Sequence, residues 1–233
     1  MSLPSTPTPG PLLTDPVSGL SYRLLQPQPA APRRLLVLLH GVGGSETSMA
    51  GLPHGVDADT LVVLARGPLT LGPEQFAWFQ VAFTAEGPRI VPEHAEHSRQ
   101  ALIRLLAELQ RAHGIAAQQT VVAGFSQGGI MSAGVALTAP ESVAGFGLLS
   151  GRILPEIAQH LASRERLGRL QGLVAHGIHD NKLPLDWAQR AHAWLDELGV
   201  RHELKLYPIG HSVSAEMQAD FLQWLNGLDT ADH

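Results

Sequence analysis

Ser126 sits in Gly124-Phe125-Ser126-Gln127-Gly128, after the apolar run Thr120-Val121-Val122-Ala123 and before the small-residue stretch Gly129-Ile130-Met131-Ser132-Ala133-Gly134. A G-x-S-x-G segment between a β-branched strand and a helix presents a serine hydroxyl on a sharp, strained turn, as a nucleophile requires. Side chains flanking such a turn would strike neighbouring strands, and Gly124 and Gly128 remove them. A serine hydroxyl is a poor nucleophile at neutral pH. It needs a base to take its proton and a third group to orient that base. His211, in Tyr207-Pro208-Ile209-Gly210-His211-Ser212, lies between the last strand and the last helix and is the best placed of the twelve histidines. Asp180, in His176-Gly177-Ile178-His179-Asp180, stands just past another strand, where open α/β sheets gather their functional loops. The chain order Ser, Asp, His suits acyl transfer on such a sheet.

Each member also has a plain structural reading. Asp180 fits a turn or a helix N-cap ahead of Asn181-Lys182. His211 fits a satisfied loop histidine, and Asp186 is a rival acid, although it falls inside the expected helix after Pro184. The joint order favours Ser126, Asp180 and His211. A tetrahedral intermediate also needs two backbone N–H donors. One is expected from Gln127. The other is expected from Val42 in His40-Gly41-Val42-Gly43-Gly44-Ser45, whose glycines allow close approach of the backbone. The same loop read as a phosphate cradle lacks the Gly-Lys-Ser/Thr of a P-loop, and no G-x-G-x-x-G fingerprint is matched.

These residues must be held by a sheet, and the chain is patterned for one. From Arg34 onward apolar strands alternate with amphipathic helices, the order of a mostly parallel central sheet with helices on both faces. Strands are expected at Leu35 to His40, Thr60 to Arg66, Thr120 to Phe125, Gly145 to Ser150, Leu170 to His176 and His202 to Tyr207. The clearest helix runs from about Pro92 to His113, with Leu102, Leu105, Leu106 and Leu109 on one face and Gly114 as its stop. Others follow Ser126, fill about Leu185 to Leu198, and close the chain from about Ser212 to Leu228. Leu12-Leu13 and Leu20 to Leu25, parted by Asp15-Pro16-Val17-Ser18-Gly19, read as an edge hairpin. Residues 1–11, rich in Pro, Ser and Thr, read as a flexible extension, and 12–233 as a single domain.

Composition narrows the rest. With 16 Lys+Arg against 21 Asp+Glu, a net charge of −5 leaves no basic footprint for nucleic acid and no polybasic membrane anchor. Zero cysteines exclude disulfides, thiolate metal sites and a competing thiol nucleophile. The longest aliphatic run, Leu35 to Leu39, is far short of the ~20 residues that span a bilayer. The start lacks the basic and apolar regions of a secretory signal, so the expected location is cytoplasmic. Glu93-His94-x-x-His97 has two metal-ligand types but no third, and His176 with His179 and Asp180 is better explained by the serine chemistry, so no metal is expected.

Together, Leu39-His40-Gly41-Val42-Gly43, Gly124-Phe125-Ser126-Gln127-Gly128-Gly129, Ser150-Gly151, His176-Gly177 with Asp180, and Gly210-His211 resemble the phospholipase/carboxylesterase family of α/β-hydrolases, which includes the acyl-protein thioesterases. The resemblance runs from about Leu35 to the last helix. It implies an α/β-hydrolase fold, Ser126, Asp180 and His211 as the catalytic triad, Val42 and Gln127 as the oxyanion donors, and no cofactor. Two departures bear on substrate. Gln80 stands where the family often has an acid, and Asp180-Asn181-Lys182 replaces Asp-Pro-Val. Arg152, just past another strand end, is suited to hold a carboxylate or to pair with a surface acid, and the surface pair is favoured. Leu69, Leu71, Phe76, Trp78 and Phe79, beside Pro68, are expected to line the substrate pocket, in part as core. No insertion between Ser126 and Asp180 suggests a lid domain.

The reaction expected is cleavage of carboxylic esters or thioesters through an acyl-enzyme, with small, accessible substrates or surface-exposed acyl groups fitting better than emulsified fat. Long-chain acyl-protein thioesterase or lysophospholipase activity, peptidase activity, and a silent small-molecule receptor on the same scaffold are the alternatives. The partner expected is a small-molecule ester or thioester, without stable membrane anchoring. The oligomeric state is open, a homodimer included.

Overall fold

The computed structural model describes residues 7–84 and 87–228. Nine strands form one sheet. They begin with the short edge strands β1 (Thr8–Pro9) and β2 (Leu13–Thr14), followed by β3 (Ser21–Gln26), β4 (Arg34–Leu39) and β5 (Thr60–Ala65). Two small hairpins come next, β6 (Leu69–Gly72) with β7 (Gln75–Ala77) and β8 (Val81–Thr84) with β9 (Gly87–Ile90). Helix α1 (Pro92–His113), β10 (Thr120–Phe125), α2 (Gln127–Thr138), β11 (Gly145–Leu149), the single turn α3 (Arg164–Leu167), β12 (Gln171–Gly177), α4 (Asp186–Leu198), β13 (Arg201–Tyr207) and α5 (Ala215–Gly227) complete the order. The sheet runs β1-β3-β5-β4-β10-β11-β12-β13, with β2 on β3. From β5 to β13 all neighbours are parallel, and β3 joins β5 antiparallel.

Alternation along the strands splits the core in two. Leu35, Val37 and Leu39 of β4 join Val63, Val122 and Phe146 under α1, α2 and α4, through Leu102, Leu105, Ala133, Ala188 and Leu195. Leu36 and Leu38 point the other way, with Val62, Val121, Ala123, Leu173 and Ala175, and pack on Met217, Phe221 and Leu225 of α5. Because both faces are covered, the strands read as continuous apolar runs, and β4, β5 and β10 to β12 are almost wholly buried.

Helix ends follow local chemistry. Gly114 (φ 63°) and Gly199 (φ 72°) close α1 and α4 in the left-handed region, where glycine has no Cβ penalty. The last helix starts at Ala215, later than the expected Ser212, because the Ser214 hydroxyl caps it by accepting from the Met217 amide at 3.1 Å. The sequence pattern missed β1. Thr8–Pro9, within the expected extension 1–11, pairs with Gln26 and Leu25, and the Gly10 amide donates to the Leu24 carbonyl at 2.9 Å. Residues 1–6 of that extension lie outside the described residues.

Candidate active site

The parallel strands carry Ser126, Asp180, His211, the Val42 loop and Arg152 to one edge. Gly41 and Val42 follow β4, Ser126 follows β10, Arg152 follows β11, Asp180 follows β12 and His211 follows β13. Carboxyl ends of neighbouring parallel strands converge there, so residues far apart in sequence meet.

Ser126 occupies a turn with φ 54° and ψ −117°, a strained conformation for a residue with a Cβ. The surroundings enforce it. A Cβ at Gly124 would collide with the Gly128 backbone and come within 2.7 Å of the Leu39 carbonyl oxygen, and a Cβ at Gly128 would collide with the same carbonyl. Strand β10 and helix α2 therefore meet at the closest backbone approach available. The Ser126 amide donates to the Leu149 carbonyl at 2.8 Å, tying the turn to β11.

A hydrogen-bonded chain runs from this serine into the protein. His211 Nε2 lies 2.9 Å from Ser126 Oγ, and His211 Nδ1 lies 2.6 Å from Asp180 Oδ2. Asp180 is 5% exposed, and its second oxygen, Oδ1, accepts from the amides of Lys182 (2.8 Å) and Leu183 (2.9 Å). Its turn-capping role and its contact with the imidazole thus use different oxygens. The two loops are also stitched together by backbone, with the Ile178 amide on the Tyr207 carbonyl (2.8 Å) and the His179 amide on the Ile209 carbonyl (3.0 Å). A carboxylate beside Nδ1 selects the tautomer with hydrogen on that nitrogen, leaving Nε2 as the acceptor of a hydroxyl proton. Asp186 is elsewhere, at the start of α4, paired with Arg190 at 2.7 Å.

Two amides are left open beside the serine. Gln127 opens α2, where a helix N–H has no partner within the helix, and the Val42 amide makes no hydrogen bond among the described residues. The Val42 loop is fixed from behind. The Gly43 amide donates to the Phe76 carbonyl and the Phe76 amide to the Gly44 carbonyl, both at 2.8 Å. Trp78 Nε1 donates to the His40 carbonyl at 2.9 Å. His40 Nε2 accepts from the Gly67 amide at 2.9 Å, so Nδ1 carries the hydrogen and donates to the Gly41 carbonyl at 2.7 Å. Burial pushes the His40 imidazole below its ordinary pKa, in keeping with this neutral form. The Gln127 side chain completes the brace by accepting from the Trp78 amide (2.6 Å) and donating to the Phe79 carbonyl (2.7 Å).

This bracing accounts for most of the residues expected to line the pocket. A cavity of about 290 Å³ opens on Ser126 and His211, bounded by Val42, Phe79, Val81, Ile90, Phe125, Ile130 and Leu183, with Arg152 and Lys182. Of the five residues singled out from the sequence, Phe79 lines it. Trp78 is fully buried behind the Val42 loop, the Phe76 backbone clamps that loop, and Leu69 lies in β6 paired opposite Ala77. Leu71, 48% exposed, borders a neighbouring hollow shared with Val42, Phe79 and Ile90. Val81, Ile90, Ile130 and Leu183 were not singled out. They are isolated aliphatic residues whose convergence depends on the β8–β9 hairpin and the strand-end loops. Arg152, expected to pair with a surface acid, is instead 6% exposed and stacked on Trp187. Neither His94 nor His97 joins a three-ligand group among the described residues.

Comparison with known proteins places this architecture. Residues 23–228 match the Phospholipase/Carboxylesterase family, and the chain belongs to that family. It is 26% identical over 211 residues to acyl-protein thioesterase 1 of Eremothecium gossypii, covering 85% of this chain and 88% of that protein. Among solved structures, esterase PE8 is 26% identical with a TM-score of 0.76, covering 94% of this chain and 98% of that one. A carboxylesterase from Mesorhizobium loti shares the fold at 23% identity, with a TM-score of 0.78 over 96% of this chain and 100% of the other. The protein is a carboxylic ester hydrolase with an α/β-hydrolase fold. No helix among the described residues is long and apolar enough to cross a membrane.

Proposed function

We propose that the protein cleaves small carboxylic esters through a covalent acyl-enzyme on Ser126, with His211 as general base and acid, Asp180 as its orienting carboxylate, and the Val42 and Gln127 amides as oxyanion donors. The carrying observation is the continuous chain Ser126 Oγ to His211 Nε2 (2.9 Å) and His211 Nδ1 to Asp180 Oδ2 (2.6 Å). As Ser126 Oγ bonds to the ester carbonyl carbon, its proton passes to His211 Nε2. Negative charge collects on the former carbonyl oxygen, where two fixed amides cost no reorganisation. Collapse expels the alcohol with the proton from His211. Water, deprotonated by the same nitrogen, then releases the acid.

The cavity of about 290 Å³ beside Ser126 suits a short or medium acyl or alkyl group, and a longer chain would have to continue into the neighbouring hollow past Val81 and Ile90. Thioesters use the same steps, with a thiol as leaving group. The test is steady-state hydrolysis of p-nitrophenyl esters of rising chain length by wild type and Ser126→Ala. The reading expects the rate to peak at short or medium chains and to vanish in the variant. Rates that keep rising through long chains would contradict the short-chain assignment.

A further inference from the structure

Arg152 follows β11 and lines the cavity that opens on Ser126, yet it is 6% exposed. Its guanidinium makes no hydrogen bond and no ion pair with any described residue. The Trp187 ring stacks on it, with its centroid 4.6 Å from Cζ. Glu156 acts on it through its field without forming an ion pair. Among the described residues, no acidic side chain lines the cavity, whereas Lys182 adds a second cation at its exposed rim. Stacking on an aromatic ring offsets only part of the cost of burying a charge, and buried arginines are normally paired. Burial accordingly pushes the guanidinium below its ordinary pKa, the direction for a cation short of a counter-ion.

We propose that Arg152 receives a carboxylate carried by the substrate, so that the preferred substrates are esters or thioesters bearing a free carboxylate. This rests on the serine-hydrolase reading and specifies its substrate class. The planar fork of a guanidinium matches a carboxylate with two parallel N–H···O bonds. Val81, Ile90 and Ile130, also in the wall, suit the methylene segment between that carboxylate and the scissile bond. The buried guanidinium balances one carboxylate, and Lys182 stays at the solvent-exposed rim. No bond to Arg152 is made or broken. Ser126 Oγ takes the acyl group, the alcohol or thiol leaves with the His211 proton, and water releases the acid. Arg152 acts as a specificity-determining residue.

The experiment measures kcat/KM in a pH-stat for two matched pairs, monoethyl adipate against ethyl hexanoate and 4-acetoxybutanoate against butyl acetate. The first pair places the carboxylate on the acyl side and the second on the alcohol side. Wild type is expected to favour the anionic member of at least one pair by roughly tenfold or more, because a site built for a charged group discriminates against the analogue lacking it. Arg152→Met is expected to collapse that ratio, and Lys182→Gln to retain most of it. Should Arg152→Met fail to fold, wild type still decides. Hexanoate is then expected to slow fluorophosphonate labelling of Ser126 more than the neutral hexanamide does. Neutral esters preferred in both pairs, or a ratio that survives Arg152→Met, would overturn the proposal while leaving the serine chemistry intact. Absence of both hydrolysis and labelling would instead overturn the reading beneath it.

Discussion

The two carboxylate oxygens of Asp180 are divided between tasks: Oδ2 meets His211 Nδ1 at 2.6 Å, and Oδ1 holds the Lys182 and Leu183 amides at 2.8 and 2.9 Å. The same side chain therefore builds the loop it works from. An amide at this position keeps one acceptor oxygen but not both. Asp180→Asn is expected to retain the fold, because the turn can keep its acceptor, and to lower kcat on the order of 10⁴-fold through loss of the correct imidazole tautomer. Circular dichroism and ester turnover measured on the same preparation test both halves. A kcat within tenfold of wild type would remove Asp180 from the mechanism.

Gln127 contributes twice, through an open main-chain amide and through a side chain that grips Trp78 and Phe79. Gln127→Ala keeps the first and deletes the second, leaving a buried N–H and a buried carbonyl unpaired. A loss of about 1–3 kcal/mol in unfolding free energy is expected, together with a lower kcat as the Val42 loop loses its brace. Urea denaturation and kinetics separate the effects, and unchanged stability would show that water replaces the clamp.

Gly128 offers a sharper test of the elbow, since any Cβ there runs into the Leu39 carbonyl. Gly128→Ala must displace backbone, and a cost above about 3 kcal/mol is expected, in the range of backbone strain inside a core. A thermal scan showing wild-type stability would mean that β4 and α2 can separate more than the packing indicates.

Glu46, 1% exposed, follows the Val42 loop in the chain and sits between Arg23 (2.6 Å) and Arg66 (2.6 and 2.8 Å). Burial raises its pKa, but the hydrogen bonds from Arg66 and Arg23 outweigh this and hold the carboxyl at about 2, against an ordinary 4.5. A carboxyl with a depressed folded-state pKa contributes stability in full above the ordinary value. That contribution is lost as pH falls toward the folded value. Wild type is thus expected to lose stability between about pH 4.5 and 2 in excess of Glu46→Gln, whose own stability is lower above pH 4.5. Parallel stability curves for the two proteins across that window would refute the assignment.

The meeting of Ser126, Asp180 and His211 in the candidate site was legible because its determinants are local. The Gly124 to Gly128 segment encodes its own steric demand, and Asp180 and His211 each follow a recognisable apolar strand. Helix α1 spans Pro92–His113 as its periodicity indicated, because Pro near the start and Gly114 at the end punctuate it. The pocket wall was less legible. Trp78 looked like lining, but its indole N–H is used on the His40 carbonyl, a pairing between residues 38 apart in sequence. Val81 and Ile90 reach the cavity through antiparallel pairing of β8 with β9, which no local pattern announces. The burial of Arg152 depends on Trp187 approaching from the start of α4, again a tertiary event.

The central claim is that Ser126 is an activated nucleophile. Intact-protein mass spectrometry after exposure to a fluorophosphonate tests it most directly, with Ser126→Ala alongside. The account predicts one adduct on wild type and none on the variant. An unlabelled, folded wild type, or equal labelling of both proteins, would contradict it.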